Sequence, residues 1–518
     1  MLKRKTALVL SAILLLGTFV ACTKKEEVKL NSTYPLETDV TLTYWISQVA
    51  SQQYFSNNNG ELPFSKELEK ETGVKIEWIH PQAGKSLYTL IATNNLPDII
   101  FHGWNSYPGG AEKAIADGYI IPLNDVIDKW SPNFKKVIES DKTIKRGITT
   151  ENGDVAFYPM VQYDKKLKVT GGLMLRGDWL KDLNLSVPET IDEWETVLRA
   201  FKNEKGATAP ITIEIGALGV GAFIGAYGIL WNYYQENGTV CYGPGQPQYK
   251  DFLVTMNRWY NEGLIDKEFA VGNFVKRNEN VLSGKTGALY GGLGGSLGAY
   301  NSKLSSINPK YHFTGAKYPV LNKGDKPKFG QYTNSLVSAA AISTSCKNVE
   351  IAAKFLDYGY STQGGLLYQF GIEGVSYNLK DGYPKYTKEI TDNPDGIPMA
   401  TILGKYTNAG FPGPFVQDIR YLEQYADSDI QREAWAMWMD TDAQKYQIPY
   451  VLAESDNLGE HGRLSRAVDQ YAQEMFVKFV LGTEPIEKFD LYIQELYRLG
   501  LDDLLDIKQA AYEKYMGK

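Results

Sequence analysis

The stretch Leu68-Glu-Lys-Glu-Thr-Gly-Val-Lys-Ile-Glu-Trp78 contains the end of a helix and the strand that follows it. The helix is predicted over 64–72, with Ser65 as its N-cap. Gly73 ends it, because glycine adopts the left-handed conformation of a helix C-terminus without strain. From 74 to 78 apolar and charged residues alternate, which is the two-residue period of a strand. A single glycine thus separates a helix from a strand, and units of this kind build α/β folds.

The same unit recurs on both sides of this stretch. Residues 40–46 alternate as a strand, and a helix over about 85–94 leads into a short buried strand at 98–101. This alternation predicts an α/β fold with mixed, mainly parallel sheets covered by helices. A capping box between Thr190 and Glu193 predicts a further helix start. Later helices are expected at 348–360, 421–440, 461–481, 485–499 and 501–515.

The first 22 residues have the pattern of an export leader. Three cations at 3–5 precede an apolar run over 7–20, and Ala21 and Cys22 follow it. This order predicts a secretory signal peptide over 1–21. A cysteine directly after the small residue resembles a bacterial lipoprotein site, which implies cleavage before Cys22 and lipid on it. The alternative is an ordinary signal peptide cut nearby, with Cys22 incidental. The polar residues 22–38 are expected to form a flexible tether.

Composition excludes several partner classes. Without the three leader cations, 51 of the 54 Lys and Arg residues face 61 Asp and Glu, a net charge of −10. Such a surface argues against nucleic acid as a partner. After the leader, no apolar stretch approaches the roughly 20 residues of a membrane helix. The length favours two or more lobes, and the 13% of aromatic residues suits a cleft with broad apolar faces.

Motifs for catalysis, metals and cofactors are missing. Gly284-Lys285-Thr286 looks like the tail of a phosphate-binding loop, but Glu279 stands where that loop needs glycine. The four histidines are far apart and have no metal-ligand spacing. We therefore expect no metal, no cofactor and no enzyme activity. Cys241 and Cys346 could pair in an oxidising compartment, which the sequence leaves open.

The chain resembles the bacterial extracellular solute-binding proteins, family 1, of ABC importers, and most of all their large lipoprotein branch for oligosaccharides. The similarity extends over nearly the whole mature chain. It rests on these segments: 68–78, 96–100, 115–123, 153–159, 175–180 with 185–190, 284–287, 341–345, 371–374 and 481–485.

The resemblance implies a two-lobed, type II periplasmic-binding-protein-like clamshell with its ligand in the cleft. Lobe one would hold 38–159 and 331–415. Lobe two would hold 160–330 and 416–518, including the C-terminal helices. The chain would cross between the lobes near 159–163, 325–335 and 415–422. Some relatives carry a calcium loop after the helix that starts at Thr190. The corresponding residues 202–210 lack its acidic series, so no calcium site is expected there.

Candidate ligand residues come from loops that follow strands, where open α/β sheets bind ligands. Trp45 ends the first strand. The loop after strand 98–101 supplies Trp104, Asn105 and Tyr107, and relatives present a tryptophan there. Tyr158 lies at the first crossing. For each aromatic residue the alternative is core packing.

The remaining candidates lie further along the chain. Glu214 precedes a Gly-rich helix start whose N–H groups could face hydroxyls or an anion. Tyr290 ends the strand predicted over 286–290. Arg420 stands beside the last crossing and could reach an acidic ligand or pair with Asp418. Trp438 could reach the cleft or pack in the core.

Together these observations predict a lipid-anchored, monomeric capture protein on the outer face of the cell membrane, or on its periplasmic side in a cell with an outer membrane. It would bind a carbohydrate and deliver it to an ABC permease. One alternative is the same fold binding a peptide or an acidic metabolite. Another is a surface-anchored glycan-degrading enzyme.

Overall fold

The computed structural model describes residues 33–81, 86–104, 107–271, 274–334, 336–410, 413–448 and 458–517. The predicted signal peptide, Cys22 and Asn105 lie outside these residues. The strands are β1 Thr41–Trp45, β2 Lys75–Ile79, β3 Ile99–His102, β4 Tyr158–Val161, β5 Gly171–Arg176, β6 Ile211–Thr212, β7 Tyr233–Glu236, β8 Thr239–Tyr242, β9 Ala288–Gly292, β10 Phe313–Ala316, β11 Leu336–Ile342, β12 Tyr377–Lys380 and β13 Tyr383–Tyr386.

The α-helices alternate with the strands in the first half and dominate the end of the chain. They are α1 Ala50–Gln53, α2 Pro63–Thr72, α3 Leu87–Ala92, α4 Gly110–Ala116, α5 Asn124–Trp130, α6 Pro132–Ser140, α7 Lys142–Ile148, α8 Gly177–Asp182, α9 Ile191–Lys205, α10 Ile215–Leu218, α11 Tyr249–Asn261, α12 Phe274–Leu282, α13 Ala299–Ile307, α14 Val349–Tyr358, α15 Thr362–Phe370, α16 Lys388–Thr391, α17 Met399–Tyr406, α18 Ile419–Tyr425, α19 Asp429–Met439, α20 Ala443–Tyr446, α21 Leu458–Leu481, α22 Phe489–Arg498 and α23 Leu501–Gly517.

The first sheet has five strands in the order β2-β1-β3-β11-β4. β1 pairs in parallel with β2 and β3, as the strand–helix alternation predicts. β11 pairs antiparallel with both β3 and β4. Because β11 comes from far along the chain, the local sequence pattern does not predict its direction in the sheet. Leu42, Ile99 and Ile100 are fully buried in the core beside this sheet.

The second sheet has four strands in the order β10-β5-β9-β6. β5 lies antiparallel to both β10 and β9, and only β6 with β9 is parallel. Both sheets are mixed, as expected, but the antiparallel share is larger than the alternation indicated. The first sheet takes its strands from 41–161 and 336–342, the second from 171–316. The lobe boundaries themselves stay a prediction.

Local signals at the helix ends can be compared residue by residue. Gly73 ends α2 in the left-handed conformation, with φ 73°, as predicted. The N-cap of α2 is Leu62 followed by Pro63, whereas Ser65 lies buried inside the helix. Proline suits the first turn because its missing N–H would have no partner there. The capping box of Thr190 and Glu193 at the start of α9 is confirmed.

A third apolar cluster connects the second sheet with later segments of the chain. It includes residues of β5 and β9, of the hairpin β12–β13, of α17 and of α19. Within it the indole nitrogens of Trp435 and Trp438 donate to the carbonyl oxygens of Val169 and Leu173, at 2.8 and 3.0 Å. Residues 377–406, expected in lobe one, thus pack in the same cluster as strands of the second sheet.

The C-terminal helices α21 to α23 pack on the second sheet's core. The end of α23 reaches residues that follow the first sheet's early strands: the ammonium of Lys514 lies 3.2 Å from Glu151, and Arg146 lies over the ring of Tyr515. In the described part of the chain, no helix is both long enough and apolar enough to cross a membrane. Cys241 and Cys346 are free thiols.

Candidate functional site

A cavity of about 330 Å³ lies between the two sheets. Its lining includes Met160 of β4, in the first sheet, and Gly292 at the end of β9, in the second sheet. The remaining lining residues are Gln162, Leu167, Thr170, Leu293, Gly294, Gly295, Thr333, Ala400, Leu403, Gly410, Gln417, Tyr421, Leu422 and Tyr425. Cavities of this size between structural layers are typical ligand sites.

The three predicted crossings meet at this cavity, and side-chain hydrogen bonds join them. The amide nitrogen of Gln162 donates to the amide oxygen of Gln417 at 2.7 Å. The hydroxyl of Thr333 donates to the amide oxygen of Gln162 at 3.1 Å. Gln417 also donates to the carbonyl oxygen of Ala409 at 2.7 Å. These hydrogen bonds therefore fix the side-chain amides of Gln162 and Gln417, and together they form a polar network between the two sheets.

Replacing Gln417 with Leu is expected to lower the free energy of unfolding by roughly 2 kcal/mol, because the buried amide of Gln162 loses its short acceptor. Urea denaturation followed by circular dichroism measures this. The same change at Gln53, which is exposed on α1, serves as the matched control. Equal stability of the two variants would contradict a structural role for the network.

A second cavity, of about 640 Å³, shares Gly294, Ala400 and Tyr425 with the first. We call the two cavities together the groove. Most of the side chains in the second cavity that can hydrogen-bond are hydroxyls and amides. The polar lining residues are Asn301, Ser302, Ser305, His312, Thr391, Asp392, Asn393, Asp427, Ser428 and Gln431.

Tyr425 stands where the two cavities meet. Its ring packs closely on Gly294, where a Cβ would lie 2.0 Å from the ring, so a larger residue at 294 would displace Tyr425. Tyr421 lies beside it, with ring centroids 5.8 Å apart. Burial raises the pKa of Tyr425 to about 12, so its hydroxyl keeps its proton at physiological pH. The pair offers aromatic faces together with hydroxyl groups that are able to hydrogen-bond.

Helix α17 forms one wall of the groove. Ala400 and Leu403 face the first cavity, and on its other side Gly404 packs against Ser51 of α1. The amide of Gln52 donates to Asn408 at 3.5 Å, just after this helix. Helix α1, which follows β1, therefore packs against the side of α17 that faces away from the groove.

Three of the aromatic residues predicted to contact the ligand lie in the apolar core beside the first sheet. Trp45 and Trp104 are 7% and 1% exposed, and Tyr158 is fully buried, with its hydroxyl 2.7 Å from that of Ser131. The indole nitrogen of Trp104 has no hydrogen-bond partner among the described residues. Tyr107 donates to Asp117 at 3.0 Å, away from the groove. Their roles as ligand contacts stay predictions.

The other candidates separate into three places. Glu214 pairs with Arg277 at 3.0 Å, and Arg277 also donates to the carbonyl oxygen of Tyr290 at 3.5 Å. The structure thus brings Glu214 and Tyr290 to one cation. Arg420 forms a two-pronged pair with Asp418. Trp438 is fully buried beneath β5. None of these side chains lines the groove, and their ligand roles also stay predictions.

Sequence reasoning missed the residues that do line the groove, although it predicted the three crossings. Gln162, Thr333, Gln417 and Tyr421 come from those crossings, and Tyr425 follows the last one. The polar residues at the predicted crossings were the sequence signal that could have identified these lining residues. In the described ranges, no group of three or more His, Cys, Asp or Glu residues is placed to hold a metal ion.

Comparison with known proteins identifies the family. The sequence profile described as "Bacterial extracellular solute-binding protein" matches residues 50–365. The chain belongs to this family. The resemblance drawn from the sequence is confirmed.

Individual relatives agree with this membership. The chain is 25% identical to the fructooligosaccharide ABC transporter substrate-binding protein FusA of Streptococcus pneumoniae, over 99% of this chain and 98% of that protein. It is 25% identical to the polygalacturonan/rhamnogalacturonan-binding protein YtcQ of Bacillus subtilis, over 60% of this chain and 63% of that protein. The structure of alginate-binding protein AlgQ2 without calcium ion matches with a TM-score of 0.77 at 24% identity, over 92% and 99% of the two chains. The expected two-lobed, type II fold is confirmed.

Proposed function

We propose that this solute-binding protein acts as a monomer, captures an oligosaccharide outside the cell and delivers it, chemically unchanged, to the permease of an ABC importer. The observation that carries the proposal is the groove, whose first cavity lies between the two sheets. Tyr421 and Tyr425 offer aromatic faces for the C–H surfaces of sugar rings, and amides and hydroxyls surround them. Polar groups of this kind set specificity, because each sugar hydroxyl left unpaired on burial costs about 1–3 kcal/mol.

Capture would proceed by closure. The first cavity receives Met160 from the first sheet and Gly292 from the second, so a ligand in it contacts both sides. Such a ligand stabilises the closed arrangement over the open one and shifts the population towards it. The hydrogen-bonded crossings at Gln162, Thr333 and Gln417 are the place where the chain would bend.

The leader pattern supports a lipid anchor on Cys22, which would hold the protein on the outer face of the cell membrane, near the permease. One acyl chain binds membranes only marginally, so two chains on Cys22 would be needed for stable attachment. The test is a Cys22→Ala variant expressed in its own cells, followed by fractionation. We expect the variant in the medium or the periplasm, and a variant still in the membrane fraction would contradict the anchor.

Calorimetry of the purified mature protein against a panel of oligosaccharides and peptides tests the capture proposal, with chromatography of the recovered ligand. We expect binding of an oligosaccharide that is recovered intact. Cleavage of the bound glycan would show an enzyme instead. Binding of peptides alone would show a different solute class.

A Tyr425→Ala variant is expected to bind the oligosaccharide found in that panel at least tenfold more weakly than the wild type. It loses the ring shared by both cavities, and aromatic contacts of this type are worth about 1 kcal/mol beyond the area that they bury. Titration calorimetry measures the dissociation constants. The control is Tyr497→Ala, an exposed tyrosine on α22. Unchanged affinity in the Tyr425 variant would remove the groove from the binding site.

A further inference from the structure

The charged residues of the groove are few and of one sign. The first cavity has no Asp, Glu, Lys or Arg among its lining residues. The second has Asp392 and Asp427, and His312 is its one basic side chain. Among the described residues, no Lys or Arg lines either cavity.

We propose that the groove selects uncharged oligosaccharides and rejects uronic-acid polymers. This inference rests on the proposed function and specifies its substrate class. A carboxylate taken from water into a groove needs a cation or several aligned donors to replace its hydration. Arginine is the side chain best suited to this, because its guanidinium binds both carboxylate oxygens at once. The groove offers hydroxyls and amides instead, which match the hydroxyls of a neutral sugar.

One cation close to the lining is already paired within the protein. Arg176 lies directly behind Tyr311, a residue of the second cavity, with its guanidinium 4.7 Å from the ring centroid. It is 2% exposed and forms a two-pronged pair with Asp178, with one contact of 2.7 Å. Its charge is therefore already balanced inside the protein. It positions the Tyr311 ring and is shielded from a ligand.

Two further cations near the lining are engaged by other groups of the protein. Arg432 donates to the carbonyl oxygens of Ala426 and Asp427, both at 3.0 Å, and pairs with Asp429 at 2.6 Å. Lys168 stands between two lining residues in the sequence, but its ammonium lies over the ring of Tyr332, 5.4 Å from the centroid. Neither side chain belongs to the lining.

The acidic residues add repulsion to this lack of cations. Asp427 lines the second cavity and is exposed to solvent. A uronate carboxylate brought beside its carboxylate would be repelled. Asp392, between α16 and α17, also lines the second cavity, so two segments of its lining carry a carboxylate. A neutral sugar meets the same carboxylates as hydrogen-bond acceptors.

The decisive experiment compares ligands that differ only in charge. Oligogalacturonates of defined length are carboxyl-reduced to the corresponding neutral galactose oligomers, and oligoalginates are treated in the same way. Calorimetry with the mature protein then measures both members of each pair, beside a panel of neutral fructose, glucose and galactose oligosaccharides. We expect a neutral ligand to bind, and every uronate to bind at least 100-fold more weakly than that ligand.

A gain-of-function variant tests whether this groove is the origin of the selection. Gly295 lines the first cavity, and a Cβ there would meet no atom within 4 Å, so a side chain fits. A Gly295→Lys variant is expected to bind uronates at least fivefold more tightly than the wild type, with a gain that falls as salt is added. A folded variant without this gain would contradict the assignment.

The outcomes separate the two proposals. A uronate that binds as tightly as the best neutral ligand overturns the selection of uncharged sugars and leaves oligosaccharide capture standing. No binding of any glycan, neutral or acidic, overturns the capture proposal and the inference with it. A neutral ligand with weak uronates, together with the gain in Gly295→Lys, supports both.

Discussion

The Trp438→Ala variant is expected to unfold with a free energy about 3–5 kcal/mol below that of the wild type. Trp438 is fully buried, and its indole nitrogen donates to the carbonyl oxygen of Leu173 at 3.0 Å. Its ring lies against Gly172, where a Cβ would approach it to 2.3 Å. Truncation leaves a cavity beneath β5 and an unpaired acceptor, and the close glycine provides no side chain to fill the space.

Urea denaturation followed by fluorescence and circular dichroism measures this loss. A Trp438→Phe variant keeps most of the ring but not the N–H, so it should lose roughly half as much. Tyr497→Ala, on the exposed side of α22, should stay within about 0.5 kcal/mol of the wild type. If Trp438→Ala instead kept its stability and lost ligand affinity, the sequence hypothesis of a cleft residue would be correct.

The second large effect is a pH dependence of stability that comes from Asp357. This residue is 1% exposed, and burial raises the pKa of its carboxyl to about 6, against an ordinary value of 3.8. The carboxyl accepts hydrogen bonds from the backbone N–H of Phe134 at 2.7 Å and from the amide of Asn133 at 2.8 Å. These bonds stabilise the charged form, but less than burial destabilises it.

The sign follows from the two pKa values. Between about pH 4 and pH 6 the folded protein holds the Asp357 proton and the unfolded chain releases it. Stability from this group therefore falls as pH rises through this window, by about 3 kcal/mol in total. An Asp357→Asn variant lacks this dependence, so its stability relative to the wild type should rise by that amount from pH 4 to pH 7.

Urea titrations at each pH unit from 4 to 7 test this difference. Asp395→Asn, the same change at an exposed loop position, is the matched control. Its stability relative to the wild type should stay nearly constant over the series. Parallel curves for Asp357→Asn and the wild type would show that the buried carboxyl does not titrate in this window.

Local signals predicted the elements of the fold well, because they act within a few residues. Gly73 and the Thr190–Glu193 capping box are examples, and both are confirmed. Ser65 shows the limit of such signals. Pro63 is the first helical residue and Leu62 the N-cap, three residues before Ser65, so the serine becomes a buried residue within the helix. The pairing direction of β11 was not predictable from local sequence, because distant strands determine it.

The groove lies near the predicted crossings, whereas the described candidate ligand residues lie outside its lining. Trp104 follows a strand in a Gly-flanked loop, but tertiary packing buries it, and no local pattern reports such burial. The resemblance to the family indicated three crossings, and the first cavity of the groove lies there, with Gln162, Thr333 and Gln417 in its lining. Glutamine and threonine are common on any surface, so their meeting at one point becomes visible only in three dimensions.

The place of β11 has a consequence for the order in which the chain folds. Residues 336–342 lie between β3 and β4, so these two strands have no contact in the sheet until a segment made much later is inserted. A nascent chain of 300 residues therefore contains an open sheet with two exposed edges, which is the state most prone to pairing with other chains. Completion of the first sheet should thus be a late step of folding, after the strands of the second sheet have been synthesised.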